Sequence, residues 1–109
     1  VGIAAFTKAW TVFNALQIGK VSSFLGRADS NQTDVANNFY YDGSEKRIDI
    51  GFAQRYTQSS DGEHQFFTAS DAAANSAISF SQKFTIKNNG NVGIVMFSKL
   101  VILITLVII

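Results

Sequence analysis

Alternation of hydrophobic and polar positions with a period of two recurs along the chain, and helical periodicity is poor almost everywhere. Over 78–86, Ile78, Phe80, Phe84 and Ile86 fall on one face with Gln82, while Ser79, Ser81, Lys83 and Thr85 fall on the other. That is the pattern of a half-buried strand. Over 47–56, Ile48, Ile50, Phe52 and Tyr56 alternate with Arg47, Asp49, Gly51, Ala53 and Arg55. A slip of one residue would carry those charges inside, so the register is well specified. Weaker strands are predicted over 10–16, 21–25, 38–41 and 64–69. Asp42-Gly43, Asp61-Gly62 and Asn89-Gly90 are dipeptides that type I′ hairpin turns prefer. The polar stretch 28–33 reads as a loop, and the Ala-rich stretch 71–77 has the composition for one helical turn but is too short to be stable alone. The sum is an all-β chain, an antiparallel meander of six to eight short strands.

The aromatic residues add a constraint. Phe39, Tyr40 and Tyr41 are consecutive, as are Phe66 and Phe67, so neighbours must point to opposite sides of a strand. Large apolar groups on both faces require either a sandwich or a second chain as cover. Together with the apolar end of the sequence, this favours cover by identical chains, since exposed surface of this kind aggregates. Ile48, Ile50, Phe52, Phe66, Ile78, Phe80, Phe84 and Ile86 are the expected oligomer core. Each contributes about 1.5–3 kcal/mol when fully buried.

Composition narrows the function classes. The 109 residues include ten Phe, three Tyr, one Trp and no Pro, as suits a β-rich chain. Nine Lys and Arg against eight Asp and Glu leave a net charge of +1 with no run of either sign, which argues against a nucleic-acid surface. Cysteine is absent, which excludes disulfides, thiolate metal sites and thiol catalysis. The glycines form neither GxGxxG nor a Walker pattern, and no cofactor is expected. Beginning at Val1, the chain reads as a fragment or a processed or engineered product. Residues 100–109 are apolar except for Thr105, about half of the ~20 residues that a membrane helix needs. Extension back to Val92 meets Gly93, Ser98 and Lys99, so a membrane span is not favoured.

Candidate chemistry is sparse. His64 beside Glu63 has the composition of a general base, but no nucleophile with a recognisable elbow accompanies it, and a hairpin-edge residue is the simpler reading. Asp42, Glu45 and Asp49 are near one another in sequence, as paired glycosidase carboxylates would have to be in space. Asp42 is better explained by its turn and Asp49 by strand alternation. Asp29, Asn31 and Asp34 offer oxygen ligands without the glycine and glutamate of a calcium loop, and no metal site is expected. Asn31-Gln32-Thr33 fits the N-glycosylation triplet. Trp10, Tyr40, Tyr41 and Tyr56 could stack on sugar rings with Arg55 or Lys46 as a donor, although aromatics at alternating positions more often belong to a core or a subunit interface.

Val1-Gly2-Ile3 recurs as Val92-Gly93-Ile94, 91 residues on. The second copy closes the stretch 84–94, Phe-Thr-Ile-Lys-Asn-Asn-Gly-Asn-Val-Gly-Ile, which resembles the signature ending repeat modules of tailed-bacteriophage tail fibres and tailspikes. Asn37-Asn38-Phe39-Tyr40-Tyr41-Asp42-Gly43 is similar to an earlier stretch of those modules. Glu63-His64-Gln65-Phe66-Phe67 and Ile78-Ser79-Phe80 resemble later strands, in the same order. The resemblance spans 16–94 and implies a homotrimeric fibre segment in the virion, often upstream of a receptor-binding tip or an intramolecular chaperone. Its implied partners are other tail proteins and host surface polysaccharide. Its implied role is host attachment without catalysis. A glycan-binding module at a fibre tip is the alternative, and a polysaccharide-degrading tailspike piece ranks after it. Residues 1–94 form the fibre module on this reading. Residues 95–109 depart from the family, which continues with Gly, Thr or Ser and then Pro; a divergent ending or a frame change would both produce this.

Overall fold

The computed structural model describes Gly2–Ile3 and residues 7–95, and among these it is all-β with no helix. Ten strands follow one another: β1 (Gly2–Ile3), β2 (Phe13–Ile18), β3 (Ser22–Arg27), β4 (Thr33–Asn37), β5 (Tyr40–Tyr41), β6 (Glu45–Lys46), β7 (Gly51–Gln58), β8 (His64–Ala72), β9 (Ser81–Ile86) and β10 (Val92–Ile94). Eight of them make one sheet in the order β1-β2-β3-β4-β7-β8-β9-β10. It is a meander, antiparallel from β2 to β10, with β1 added parallel to β2. The small β5–β6 hairpin is an excursion between β4 and β7.

Loops cover one face of this sheet. Side chains of Phe13, Leu25, Ala36 and Ala53 rise from it to meet Phe39 and Ile78 from the covering segments, with Trp10, Tyr41 and Phe80 packed around them. Phe39 is wholly buried at the centre. Its ring meets those of Trp10, Phe13 and Phe80 edge-on, with centroids 5.9, 6.4 and 5.6 Å away. Burial of Phe39 and Leu25 contributes about 1.5–3 kcal/mol each.

Asn38 makes the turn from the sheet into its cover. It adopts φ = 62°, a conformation that asparagine tolerates better than most residues, and its side chain is a template for the chain opposite. Nδ2 donates to the carbonyls of Asp49 and Phe52, both at 3.0 Å, and Oδ1 accepts from the Asp49 amide at 2.8 Å. Arg47, also buried, donates to the carbonyls of Gly51 (3.0 Å), Ala77 (2.6 Å) and Ser70 and to the Ser76 hydroxyl. It thereby holds the 73–80 segment over the sheet.

Several expectations need correction. Residues 71–77 form no helical turn: Asp71 and Ala72 end β8, and a turn follows. The predicted loop 28–33 runs into β4, a strand that the pattern had not shown. Positions 78–80 lie outside β9 and 47–50 outside β7, because Ile78 and Arg47 serve the cover rather than the sheet. Trp10 precedes β2, and Asn38 cannot be extended at its positive φ. Nor are the hairpin turns type I′, since only the glycine of each dipeptide has φ > 0. In two hairpins the turn is closed by Gly62 N–H on the Ser59 carbonyl and by Gly90 N–H on the Lys87 carbonyl. This is the longer loop, a turn ended by a left-handed glycine. Residues 96–109, and with them nearly all of the apolar 95–109 segment, lie outside the described residues.

Candidate functional site

The opposite face of the sheet has no cover within the described chain. Cross-strand partners share a face, so the registers can be followed from edge to edge. Leu16 stands opposite Phe24, Phe24 opposite Val35, Val35 opposite Tyr56, Tyr56 opposite Phe66, Phe66 opposite Phe84, and Phe84 opposite Ile94. One unbroken row of apolar and aromatic side chains thus crosses seven strands. Phe24 is 53% exposed, Val35 49% and Ile94 58%. Tyr56 and Phe66 stack with centroids 4.7 Å apart, and Phe66 lies 5.4 Å from Phe84. A shallow concavity of about 620 Å³ opens over Phe24, Val35, Tyr56 and Phe66.

The flanking rows are mostly polar. Ile18, Ser22, Asn37, Gln54, Thr68 and Ser81 run along one side, and Asn14, Gly26, Thr33, Gln58, His64, Ile86 and Val92 along the other. Asn37 Nδ2 donates to Gln54 Oε1 at 2.7 Å, and Tyr56 Oη lies 2.6 Å from His64 Nδ1. None of these three rows contains Lys, Arg, Asp or Glu. Phe52, 61% exposed, extends the face beyond Gln54 by strand alternation.

The charges that β4 and β7 do carry point the other way. Asp34 and Arg55 alternate with Val35 and Tyr56 and lie beneath the cover. Arg55 Nη1 donates to Glu45 Oε2 at 2.8 Å, and its guanidinium sits 5.0–5.1 Å from the rings of Phe39, Phe67 and Phe80. Its Nε lies 3.7 Å from Asp34 Oδ1 and makes no hydrogen bond. Asp34 accepts instead from the Thr57 hydroxyl and from Gln32 Nε2 at 3.1 Å.

The structure separates the candidate glycan contacts. Tyr40 is buried with its hydroxyl on Asn75 Oδ1 at 2.9 Å, and Trp10 donates Nε1 to Gln17 Oε1 at 3.1 Å. Tyr41 packs against Phe13 at 5.6 Å. With Arg55, these belong to the covered side, and Tyr56 alone belongs to the uncovered one. Of the expected oligomer core, Phe66, Phe84, Ile86 and Phe52 lie on the uncovered face. Ile78 and Phe80 pack within the protomer, Ile48 is half-buried, and Ile50 is exposed in the 47–50 connection. Leu16, Phe24, Val35 and Ile94, which were not among those expected residues, also lie on the uncovered face. Only the cross-strand register, which a single sequence does not display, aligns them.

The acidic candidates disperse. Asp42 pairs with Lys46 at 3.1 Å, Glu45 with Arg55, Asp49 with Lys20 at 2.9 Å, and Asp29 with Arg27 at 2.5 Å. Among the described residues no group of three His, Cys, Asp or Glu side chains converges as a metal site would, and no helix is long and apolar enough to cross a membrane. His64 begins β8, and Glu63 beside it accepts from Gln65 Nε2 at 3.0 Å. Comparison with models of protein families, with curated proteins and with solved structures finds no match to this chain.

Proposed function

We propose that the chain is a structural segment of a phage tail fibre, part of the virion, which serves host attachment by packing its uncovered sheet face against the same face of two further copies. The observation that carries this reading is the apolar row from Leu16 to Ile94, flanked by two rows without Lys, Arg, Asp or Glu. Identical faces carry identical charges, so packing them together costs repulsion and desolvation wherever they are charged. A neutral apolar stripe flanked by amides and hydroxyls meets its own copy at no such cost. The tail-fibre assignment comes from the resemblance over 16–94, which implies three copies. The role is mechanical on this reading: three sheets share one apolar interior, and rigidity rather than catalysis is the product. Of the candidate glycan contacts only Tyr56 lies on this face, so the glycan-binding alternative draws less support.

The test is the mass of the protein in solution. Sedimentation equilibrium of the full chain is expected to give three times the chain mass, and Val35→Asp, at the middle of the row, the single mass with an unchanged far-ultraviolet spectrum. A wild-type chain that stays monomeric, or a Val35→Asp chain that still associates, would overturn the proposal.

A further inference from the structure

The sequence contains a single histidine, and the fold sets it on the uncovered face. His64 begins β8 opposite Gln58 of β7 and Ile86 of β9, so it stands in the flanking row next to Tyr56, and it is exposed. Its Nδ1 lies 2.6 Å from Tyr56 Oη, and the two rings are parallel to within 1° with centroids 6.0 Å apart. Gln58 Nε2 donates to the same hydroxyl at 3.2 Å. A phenol has one hydrogen to give and can still accept. With Gln58 donating to Oη, that hydrogen is left for Nδ1, an arrangement that suits a neutral imidazole with its proton on Nε2.

The surroundings offer nothing to balance a charge on that ring. Across β7 it meets Gln58 and Tyr56, and across β9 it meets Ile86, with Val92 of β10 beyond; Tyr56 is the one titratable group among these. In the adjoining turns, Glu63 and Lys87 line a hollow with Gln82 and Thr85 on the other side of the sheet, and Glu63 accepts from Gln65 there. Asp61 is exposed in the 59–63 turn and joins no ion pair among the described residues. Protonation of His64 changes two things at once. Nδ1 becomes a donor, so it no longer accepts from Tyr56, and the phenolic hydrogen must turn to another acceptor. The ring also becomes a lone cation in rows that otherwise hold no Lys, Arg, Asp or Glu.

We propose that His64 is a pH-responsive release on the association of this face, an inference that rests on the packing of identical faces proposed above. Each copy brings the same imidazole. Acidification therefore puts like charges into one shared interior with no carboxylate to pair them, and both repulsion and desolvation oppose association. Association is strong in mild alkali and weak in mild acid. The change falls between about pH 8 and about pH 5, the interval in which histidine alone among ordinary side chains changes its charge.

The experiment is sedimentation equilibrium of the full chain at about pH 8 and about pH 5, over a range of concentrations, with a far-ultraviolet spectrum recorded at each pH. The concentration at which half of the chains are associated is expected to rise at least roughly tenfold at the lower pH, with the spectrum unchanged. His64→Gln keeps a polar side chain beside Tyr56 without the charge and is expected to associate equally at both pH values. His64→Lys carries a charge at both and is expected to associate weakly at both. A wild-type chain that associates equally at the two pH values would overturn this proposal and leave the packing of identical faces standing. So would a glutamine variant that weakens in acid as much as the wild type, or a lysine variant as strong as the wild type at the higher pH. A wild-type chain that is monomeric at both would overturn the two together.

Discussion

Phe66 and Phe67 are adjacent in β8 and pack on opposite sides of the sheet. Phe66 stacks on Tyr56 at 4.7 Å across the uncovered face, whereas Phe67 lies beneath the cover, 6.1 Å from Phe80 and 5.0 Å from the Arg55 guanidinium. The same substitution at these neighbours is therefore expected to act at two different levels. Phe67→Asp puts a carboxylate among rings and lowers protomer stability by about 3 kcal/mol or more. Phe66→Asp leaves the protomer folded and abolishes its self-association. Thermal unfolding by circular dichroism reads the first effect and sedimentation equilibrium the second. A Phe66→Asp chain that unfolds with Phe67→Asp would mean that both rings belong to one protomer core.

Much of this architecture was legible in the sequence, and the misses share a cause. Alternation identified the strands whose two faces differ, as in the Tyr56 and Phe66 regions. It failed on β4, where Asp34 is buried and Val35 exposed: the polar residue faces inward to Thr57 and Gln32, and the apolar one faces the uncovered row. It also overextended the strands at Ile78 and Arg47, whose alternation continues although their backbone has left the sheet. An apolar second face was anticipated correctly from Phe66 and Phe67, but not from Phe39, Tyr40 and Tyr41, all three of which pack on the covered side. Its membership was not anticipated, because it depends on which residues stand opposite one another across six strand pairs.

Arg55 and Asp34 are coupled by position rather than by a direct hydrogen bond. Asp34 is fully buried, and Arg55, held by Glu45 and three rings, is the cation nearest to it. Arg55→Met preserves the packing volume but leaves a carboxylate buried without a counter-charge, at a cost of about 3–5 kcal/mol in urea unfolding. Adding Asp34→Asn is expected to recover part of that loss, because the amide oxygen still accepts from the Thr57 hydroxyl. Additive losses in the double variant would show that the two charges do not interact.

Arg47 ties three separate backbone carbonyls, those of Gly51, Ser70 and Ala77, to one planar guanidinium. A lysine at this position has one ammonium and cannot span them. Arg47→Lys should cost about 2–4 kcal/mol, since hydrogen bonds to charged groups are worth more than neutral ones. The loss should be local as well as global: the 73–80 segment loses its anchor, so limited proteolysis is expected to nick the variant there before the wild type. A variant cut no faster than the wild type in that segment would place the anchor elsewhere.

Acid sensitivity should arise in part at the surface pairs. The hydrogen bond from Lys20 holds the Asp49 carboxyl below its ordinary value of 3.8, and that from Arg27 does the same for Asp29. A depressed folded-state pKa stabilises the fold above the unfolded value, and that contribution is lost as pH falls through the folded one. Lys20, raised above 10.5 by Asp49, has the opposite sign: its contribution is complete below 10.5 and fades as pH rises further. Stability from these pairs therefore holds between the two limits and declines below about pH 4. Both carboxylates are at the surface, so the decline should be shallow and should flatten in about 1 M salt. Asp29→Asn combined with Asp49→Asn is expected to flatten it in low salt too, as read from urea midpoints across the acid range. A double variant with an acid limb as steep as that of the wild type would assign the sensitivity to other groups.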